Sequence, residues 1–362
     1  MPMAAGGHAW IVTRYEDVRT ALSDDRLSND RRHANYPSPI PIPPVMRTNG
    51  SMLSMDPPKH TAFRKLVKAE CTLQRVHGME PRVQQLVDEY VDRFADGGGP
   101  KDLVLQFSMP LTLAVIGELL AIPGQDLGSL YDATRGMFDY ARTPEQRRAA
   151  VDFLDTYFEE FVAAKYKTPG DDMVSRIIAR NPDLSLTEMV HLTRLLLNGG
   201  HDSTASMISL GVLTLTQHPE HFAALREKPD TAEPVVEELL RYVNVTDLAT
   251  ARVAATDLVL GGSTISAGDG VYPSTAAANR DPAAFDSPEE FQPYRTGERK
   301  HLAFGFGRHL CLGADLARLE LRLVYSALAR RFPALRLAVP LEDVPVLDGG
   351  FVYRLAALPV TW

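Results

Sequence analysis

Cysteine is scarce in this chain of 362 residues, which has only Cys71 and Cys311. Two cysteines so far apart in sequence give no disulfide framework of the kind found in small secreted proteins, so we expect a protein of the reducing cytoplasm. Long apolar runs are missing too, since no stretch reaches the ~18 apolar residues of a membrane span. The N-terminus also lacks the cationic start and apolar run of a signal peptide. The sequence therefore predicts neither secretion nor a membrane anchor.

Positive charge is not in excess either. The chain has 38 Lys and Arg against 46 Asp and Glu, which gives a formal net charge of -8 at pH 7. This balance argues against nucleic acid or an anionic membrane as a partner. Hydrophobic residues make up 45% of the chain and charged residues 23%, which is ordinary for a folded enzyme. The length suffices for one large domain or for two or three small ones.

The stretch Phe304–Gly313 reads Phe-Gly-Phe-Gly-Arg-His-Leu-Cys-Leu-Gly, and a strong helical pattern follows it from Ala314. Cys311 is thus placed where a helix begins, and there free backbone N–H groups and the helix dipole favour a thiolate. The glycines around it remove side chains, so that a flat and bulky group can approach the backbone closely. The alternative interpretation is a glycine-rich turn with a buried, inert cysteine.

A long helix is predicted from Leu186 to about His218, and its middle contradicts the helical pattern. This polar run, Asn198–Thr204, reads Asn-Gly-Gly-His-Asp-Ser-Thr. Its two glycines cost about 1 kcal/mol each relative to alanine, and its polar groups need partners where they are buried. Such a local conflict inside a long helix is typical of a functional site. The alternative is that one helix ends here and another begins, because Asp, Ser and Thr are good N-caps.

The pattern Phe304-Gly-x-Gly-x-His-x-Cys-x-Gly313 resembles the haem-binding signature of the cytochrome P450 family, the haem-thiolate monooxygenases. The resemblance implies a fold that is mainly α with small β-sheets, the cytochrome P450 fold, as a single domain over residues 1–362. It also implies haem b (iron protoporphyrin IX) as cofactor, with Cys311 as the axial thiolate on the iron. In the family a helix and a strand precede the strand predicted from Ala9, so we expect those two elements to be absent from this chain.

Basic residues in three parts of the chain complete the expected haem contacts. The segment Asp56–Arg64 is similar to the family pattern Asp-Pro-Pro-x-His-x-x-x-Arg, and its His60 and Arg64 are four residues apart, on one helical face. By resemblance these two bind the haem propionates together with Arg252 and His301. The haem contacts that the resemblance implies are His60, Arg64, Arg252, His301, Phe304, Gly305, His309, Cys311 and Gly313.

The polar run of the long helix is similar to the family pattern Ala/Gly-Gly-x-Asp/Glu-Thr-Thr, which forms the oxygen-binding groove. Asp202 holds the acid position, Ser203 holds the position usually occupied by threonine, and Thr204 follows, so the resemblance makes all three catalytic. A hydroxyl in this place can donate a hydrogen bond to oxygen, and an acid linked to water can relay protons. Serine lacks the methyl group and stiff rotamer of threonine, which puts tightly coupled proton delivery in question but not the class of function.

Two further groups of residues have roles by resemblance. Glu238 and Arg241, three apart in Val-Glu-Glu-Leu-Leu-Arg-Tyr, resemble the family's buried Glu-x-x-Arg pair, which ties its helix to the haem-binding core. The substrate pocket is expected under the proline-rich loop of residues 36–44, beside the long helix, next to Arg252 and at the tip of the C-terminal turn. Its predicted lining is Leu195, Asn198, Gly199, Asp247, Leu248 and Phe351.

The activity that the resemblance implies is reductive activation of dioxygen and insertion of one oxygen atom, by hydroxylation or epoxidation, into a lipophilic small molecule such as a natural-product intermediate. Electrons would come from NAD(P)H through a separate ferredoxin and ferredoxin reductase. The alternative among enzymes is a haem-thiolate protein that catalyses oxidative coupling, cyclisation or peroxide-driven oxidation. A non-catalytic haem sensor or carrier has no use for the acid–alcohol pair, and a zinc protein using Cys311, His309 and His301 lacks a standard ligand spacing.

Overall fold

The computed structural model describes residues 8–33, 35–37, 50–137, 142–297, 299–347 and 352–362, and the mainly α class with small β-sheets is confirmed. The helices are α1 (Tyr15–Ser23), α2 (Lys59–Lys68), α3 (Leu73–Ala95), α4 (Met109–Leu120), α5 (Leu127–Met137), α6 (Pro144–Lys167), α7 (Met173–Arg180), α8 (Leu186–Gln217), α9 (Pro219–Glu227), α10 (Ala232–Val243), α11 (Thr275–Ala278) and α12 (Ala314–Arg331). The strands are β1 (Ala9–Val12), β2 (Leu27–Ser28), β3 (Lys101–Asp102), β4 (Arg252–Ala254), β5 (Leu258–Leu260), β6 (Ser263–Ile265), β7 (Gly270–Pro273), β8 (Arg336–Leu337), β9 (Val346–Leu347), β10 (Arg354–Leu355) and β11 (Pro359–Thr361).

The strands form small sheets at the edge of the helical body. One sheet has the order β1-β7-β4-β2, in which β1 and β7 are parallel and the other neighbours are antiparallel. A second sheet has the order β3-β11-β8, and β5–β6 and β9–β10 are antiparallel pairs. The strand predicted from Ala9 is confirmed as β1, and its partner β7 leads directly into the short helix α11.

The long helix α8 is continuous from Leu186 to Gln217, so the interpretation of two separate helices is wrong. It begins with a capping box: the Ser185 hydroxyl accepts a hydrogen bond from the N–H of Glu188, and the Glu188 carboxylate accepts one from the N–H of Ser185. The polar run lies within the helix, where Ser203 bonds to backbone four residues earlier instead of capping a new one.

Two hydrophobic cores meet along α8. Its N-terminal half shares one core with α4, α5, α6 and α7, through buried side chains such as Leu192 and Leu197. Its C-terminal half shares the other core with α3, α4, α9, α10 and α12, through side chains such as Ile208 and Leu215. The polar run therefore lies at the junction of the two cores, and packing at both ends holds the helix straight through it.

A glycine brings α12 close to α8. A Cβ on Gly211 would lie 2.0 Å from the hydroxyl oxygen of Tyr325, so any larger residue would clash with that ring. The Tyr325 hydroxyl donates a 2.5 Å hydrogen bond to the carbonyl of Met207. Residues Phe304–Gly313, which we call the cysteine loop, come directly before α12. The contact between Tyr325 and Met207 therefore fixes the cysteine loop relative to the polar run.

Glu238 and Arg241 form a buried bidentate ion pair on α10. The distances are 2.8 Å from Nε to Oε2 and 2.7 Å from Nη2 to Oε1. The pair also fastens the segment before the cysteine loop onto α10. Its further hydrogen-bond partners all lie in that segment: Asn279, Pro288, Glu290, Gln292 and Arg295.

We predict that Arg241→Met lowers the free energy of unfolding by about 3 kcal/mol or more, because it leaves the buried Glu238 without its bidentate partner. The measurement is urea denaturation followed by circular dichroism. The matched control is Arg148→Met, since Arg148 pairs with Asp152 on the exposed surface of α6 and such pairs contribute about 0–1 kcal/mol. Equal losses in the two variants would contradict a structural role of the buried pair.

Candidate functional site

An interior cavity of about 720 Å³ lies between α8, α2 and the cysteine loop. Much of its wall is apolar, with contributions from α4, α5, α6 and the C-terminal segment. Apolar residues in the wall include Val115, Ile116, Leu119, Met137, Val151 and Val352. The polar run of α8 and both cysteines also line it. The structure thus brings stretches from distant parts of the sequence to one enclosed space.

The loop that carries Cys311 is closed by its own backbone. The N–H of Cys311 donates a 2.9 Å hydrogen bond to the carbonyl of Phe304. Gly305 and Gly307 have φ angles of +73° and +71°, in the left-handed region, and a Cβ on Gly307 would lie 2.8 Å from a carbonyl oxygen of α1. The Cys311 side chain is open to the cavity and is otherwise surrounded by protein.

The thiol of Cys311 is not poised as a free thiolate. Burial raises its pKa, and the N–H of Gly313 and the charges of Arg64 and Arg318 lower it only in part. This differs from the thiolate expected at a helix start, because the loss of solvation outweighs the helix terminus. A bound metal cation deprotonates a coordinating thiol outright. The cysteine therefore suits a metal ligand better than a free nucleophile.

Four basic side chains, which we call the basic cluster, share one wall of the cavity: His60, Arg64, Arg252 and His309. The rings of His60 and His309 stack with centroids 3.9 Å apart. Arg252 is 3% exposed and donates to backbone carbonyls, and Arg64 donates to the carbonyl of Leu310 at 2.6 Å. Within the described ranges, no carboxylate forms an ion pair with any member of the cluster.

The charged forms of the basic cluster are disfavoured. Burial lowers the pKa of Arg252 to about 10. Burial and the neighbouring charge of Arg252 lower the pKa of His309 to about 2, and the Nε2 of His309 is buried with no hydrogen-bond partner among the described residues. Buried cations are costly unless an anion compensates them. The cluster is therefore arranged for an anion that the polypeptide does not supply.

His301 lies apart from the basic cluster and does not line the cavity. Its Nε2 is 3.2 Å from Oε2 of Glu237, and Oε1 of the same carboxylate accepts a 2.5 Å hydrogen bond from Nε of Arg318. Burial would raise the pKa of Glu237, but the hydrogen bonds from His301 and Arg318 lower it to about 2. His301, of which a propionate contact was expected, is thus held by Glu237 away from the cavity wall, whereas His309 lines that wall.

Asp247 is not at the cavity wall either. Its carboxylate instead accepts hydrogen bonds at the start of α11, from Ser274, Thr275 and Ala276. Thr250, three residues later, lines the cavity in this part of the chain. The side chain of Leu248, Phe351 and residues 38–44 of the proline-rich loop lie outside the described residues.

The middle of α8 presents a stripe of residues three or four apart to the cavity. Its predicted members all line the wall: Leu195, Asn198, Gly199, Asp202, Ser203 and Thr204. The Ser203 hydroxyl donates a 2.9 Å hydrogen bond to the carbonyl of Gly199, one turn earlier. Its proton is thus held by the helix, while its oxygen remains able to accept a hydrogen bond.

Asp202 is held by Arg354 of β10, a residue that no sequence pattern indicates. Nη1 of Arg354 lies 3.1 Å and 3.3 Å from the two carboxylate oxygens. The side chains of Arg354 and Asp202 are 11% and 14% exposed, so the pair is largely out of water. The two residues are 152 positions apart, and only the tertiary fold joins them.

A second, small cavity of about 10 Å³ adjoins Asp202 and has room for about one water molecule. Six of the seven residues that line it have polar side chains: Thr134, Arg135, Asn198, His201, Asp202 and Arg354. His201 is buried, with Nδ1 2.9 Å from the hydroxyl of Thr112, and burial lowers its pKa to about 4. Because Asn198 and Asp202 line both cavities, they form the partition between them.

Glu320 of α12 is a further cavity residue that the sequence reasoning missed. Its side chain is buried, and its Oε1 has no hydrogen-bond partner among the described residues. Burial raises its pKa to about 8, so the carboxyl group is largely protonated at pH 7. One signal could have found it, because Glu320 shares the apolar helical face of Leu316 and Leu323.

No three His, Cys, Asp or Glu side chains in the described part of the chain are placed to hold a metal ion together. The zinc arrangement of Cys311, His309 and His301 therefore does not form. Among the same residues, no helix is both long enough and apolar enough to cross a membrane.

Comparison with known proteins finds relatives along nearly the whole chain. The family model described as cytochrome P450 matches residues 108–350. Nocardicin C N-oxygenase from Nocardia uniformis subsp. tsuyamanensis is 40% identical over 361 residues, which cover 99% of this chain and 90% of that protein. Vitamin D3 dihydroxylase from Streptomyces griseolus is 38% identical over 361 residues, which cover 99% of this chain and 88% of that protein. The crystal structure of cytochrome P450 MoxA from Nonomuraea recticatena is 41% identical and has a TM-score of 0.91, with 99% of this chain and 91% of that chain covered.

The residues around the cavity fit haem, the cofactor of these relatives' family. Haem is flat and carries two carboxylates, and its iron takes a thiolate as axial ligand in cytochromes P450. The basic cluster offers hydrogen-bond donors that lack an ion-paired carboxylate among the described residues, and Cys311 offers its sulfur from the cysteine loop. Gly305 and Gly307 leave the backbone of that loop bare of side chains. Cys311 would therefore hold the iron and the basic cluster the propionates.

We predict that Arg252→Met releases haem about 10- to 100-fold faster, because a hydrogen bond to a charged group contributes about 1.5–3 kcal/mol. The measurement is the rate of haem transfer to an excess of haem-free myoglobin, followed by absorbance. The matched control is Arg280→Met, since Arg280 pairs with Glu289 and does not line the cavity. A wild-type release rate in Arg252→Met would contradict the assignment of the basic cluster to the propionates.

Proposed function

Because the chain belongs to the cytochrome P450 family of monooxygenases, we propose that it inserts one oxygen atom from dioxygen into a lipophilic small molecule held in the large cavity. The observation that carries this proposal is that three groups line the same large cavity: the Cys311 thiol, the basic cluster and the polar run of α8. A haem carrier would need the first two groups only. The third supplies an acid and a hydroxyl beside the cofactor site, which oxygen chemistry requires.

Haem held through a cysteine thiolate supplies the chemistry of reductive dioxygen activation. In our proposal Cys311 would hold the iron, and His60, Arg64, Arg252 and His309 would bind the propionates. These residues come from α2, β4 and the cysteine loop. Their joint contact would fix the plane of the cofactor against the polar run of α8.

Asp202 and Ser203 are the residues that we propose to move protons. The Asp202 carboxylate partitions the small cavity from the large one, so it can take a proton on one side and offer it on the other. Arg354 orients this carboxylate through both of its oxygens. The Ser203 hydroxyl can accept a hydrogen bond at Oγ while it donates to Gly199. The neutral ring of His201 also lines the small cavity.

The apolar wall of the large cavity supports a lipophilic substrate. Relatives of similar identity are named for nocardicin C and for vitamin D3, and we propose a natural-product-like molecule of comparable character. Electrons are proposed to come from NAD(P)H through a separate ferredoxin and ferredoxin reductase, as the family likeness implies.

The proposed function is tested first by the spectrum of the reduced, carbon-monoxide-bound protein. We expect a thiolate-shifted Soret band in the wild type and its loss in Cys311→Ser, because a serine oxygen replaces the sulfur ligand. The matched control is Cys71→Ser, which also changes a cavity-lining cysteine but should keep the band. An unchanged spectrum in Cys311→Ser would exclude this cysteine as the ligand.

Turnover then separates oxygen insertion from the alternative of peroxide-driven oxidation. We expect product formation with NAD(P)H, ferredoxin and ferredoxin reductase on a substrate found by spectral titration of a compound panel. Full turnover with hydrogen peroxide alone, and none with the electron-transfer proteins, would overturn the monooxygenase proposal. A product that is coupled or cyclised without gaining oxygen would overturn it as well.

We predict that Asp202→Asn lowers the rate of product formation about 100-fold, the low end of the range for general acid–base groups. NAD(P)H oxidation should continue, with a larger share of the electrons released as hydrogen peroxide and a larger solvent deuterium isotope effect. The comparison variant is Ser203→Thr, which keeps the hydroxyl, adds a methyl group and should release less peroxide than wild type. Wild-type product formation by Asp202→Asn would rule out this carboxylate as the proton donor.

A further inference from the structure

The cavity-facing stripe of α8 carries a charge that the proposed oxygen chemistry does not use. Arg194 and His191 lie on α8 before Leu195, and both line the large cavity. Burial, with the charge of Lys59 adding to its effect, lowers the pKa of His191, so this imidazole is neutral near pH 7. Arg194 is therefore the positive charge at this end of the stripe.

Arg194 is paired with Asp155 of α6 in an unequal way. Nη1 of Arg194 contacts Oδ1 of Asp155, and both residues line the cavity. The Arg194 side chain is only 13% exposed, whereas that of Asp155 is 41% exposed. Among the described residues, Asp155 is the only acceptor for the Arg194 guanidinium, which leaves donors at Nε and Nη2.

The exposure difference decides which partner can be replaced. A buried guanidinium needs an anion at all times, because an uncompensated buried charge is strongly unfavourable. The carboxylate of Asp155 is 41% exposed and keeps more of its hydration, so it can give up its partner at lower cost than Arg194 can. An anion that enters through the cavity can therefore take the place of Asp155, while Arg194 stays where it is.

We propose that Arg194 binds the carboxylate of an acidic, otherwise apolar substrate by exchange with Asp155, a proposal that rests on the proposed function of the cavity. The guanidinium fork matches a carboxylate in geometry and charge. The other acid on the stripe, Asp202, is already held by Arg354 and does not compete for Arg194. The substrate class is thus narrowed from lipophilic molecules to lipophilic acids.

Helix α8 also sets the distance between the carboxylate of the substrate and the position at which the substrate is oxidised. Ser203 follows Arg194 by nine residues, which is about 13.5 Å along an α-helix at 1.5 Å per residue. Between them the stripe and the facing helix α4 offer apolar side chains such as Leu195, Val115 and Leu119. The substrate should therefore be oxidised far from its carboxylate, across an apolar body.

The test compares dodecanoate with dodecanamide, which have the same hydrocarbon chain, but only dodecanoate carries a negative charge. Binding to the haem-loaded protein is measured at pH 7.5 by Soret spectral shift and by isothermal titration calorimetry. We expect wild type to bind dodecanoate at least about 10-fold more tightly than the amide. Arg194→Gln should lose this preference by weakening the acid alone, and Arg194→Lys should keep part of it.

Asp155→Asn tests the exchange from the opposite side. We expect it to bind dodecanoate several-fold more tightly than wild type does, because the competing carboxylate is removed. Its matched control is Asp152→Asn, which changes an exposed acid on the same helix, outside the cavity wall, and should bind as wild type does. Because Asp155 is half-exposed, this variant carries the test even if Arg194→Gln does not fold.

Several results would overturn the proposal. They are equal affinity of wild type for the two probes, no binding of dodecanoate up to its solubility limit, and weaker acid binding in Asp155→Asn. The last result would make the pair a structural link between α6 and α8. The carbon-monoxide-bound spectrum of each protein keeps the two proposals distinct. Loss of its thiolate-shifted band reports failure at the haem site, and an intact band with no acid preference reports failure of the Arg194 proposal alone.

Discussion

The site depends on four basic side chains on one cavity wall, none of which has an ion-paired carboxylate in the described part of the chain. Two of the four, His60 and Arg252, are buried. Backbone carbonyls compensate them in part, since Arg252 and Arg64 donate to carbonyls of their own surroundings. These bonds do not remove the charge, and the pKa values of His60, Arg252 and His309 are all lowered, with burial as the main cause. A flat cofactor with two carboxylates and a metal ion would compensate the basic cluster and would also bind the thiol of Cys311. The elements α2, β4 and the cysteine loop meet at the cavity wall where such a cofactor would bind.

Another part of the cavity wall is formed by α8, whose sequence disfavours a helix in its middle. Two cores, one at each end of α8, hold the helix through the polar run. Close packing requires one of its two glycines, because a Cβ on Gly200 would lie 2.8 Å from Cδ1 of Ile116. The hydroxyls of Ser203 and Ser206 donate to backbone carbonyls four residues earlier. Tertiary packing therefore supplies the stability that local propensity lacks. The helix can in this way present an acid and a hydroxyl to the cavity without ending there.

Features that short sequence motifs encode could be predicted from the sequence. Features that depend on tertiary contacts between distant segments could not. The cysteine loop, the extent of α8 and the three-residue spacing of Glu238 and Arg241 are local patterns. His301 and His309 are both near Cys311 in sequence, but only the position of Glu237 on another helix decides which of them reaches the cavity. Arg354 meets Asp202 across 152 positions, and no period or motif encodes that contact. Glu320 differs from Arg354, because its position on the apolar helical face of Leu316 and Leu323 is a local pattern that indicates a buried carboxyl group.

Two arginine–carboxylate pairs mark the two ends of the cavity-facing stripe of α8, and their exposures assign them different roles. In the Asp202–Arg354 pair both side chains are nearly equally buried, at 14% and 11% exposure, so neither can leave for water cheaply. That pair keeps an acid in place. In the Asp155–Arg194 pair the cation is 13% exposed and the anion 41%, so the anion alone can leave. The same type of ion pair thus gives a fixed acid, Asp202, near Ser203 and an exchangeable counter-ion, Asp155, near the start of α8. At the second position the carboxylate of a substrate can take the place of Asp155.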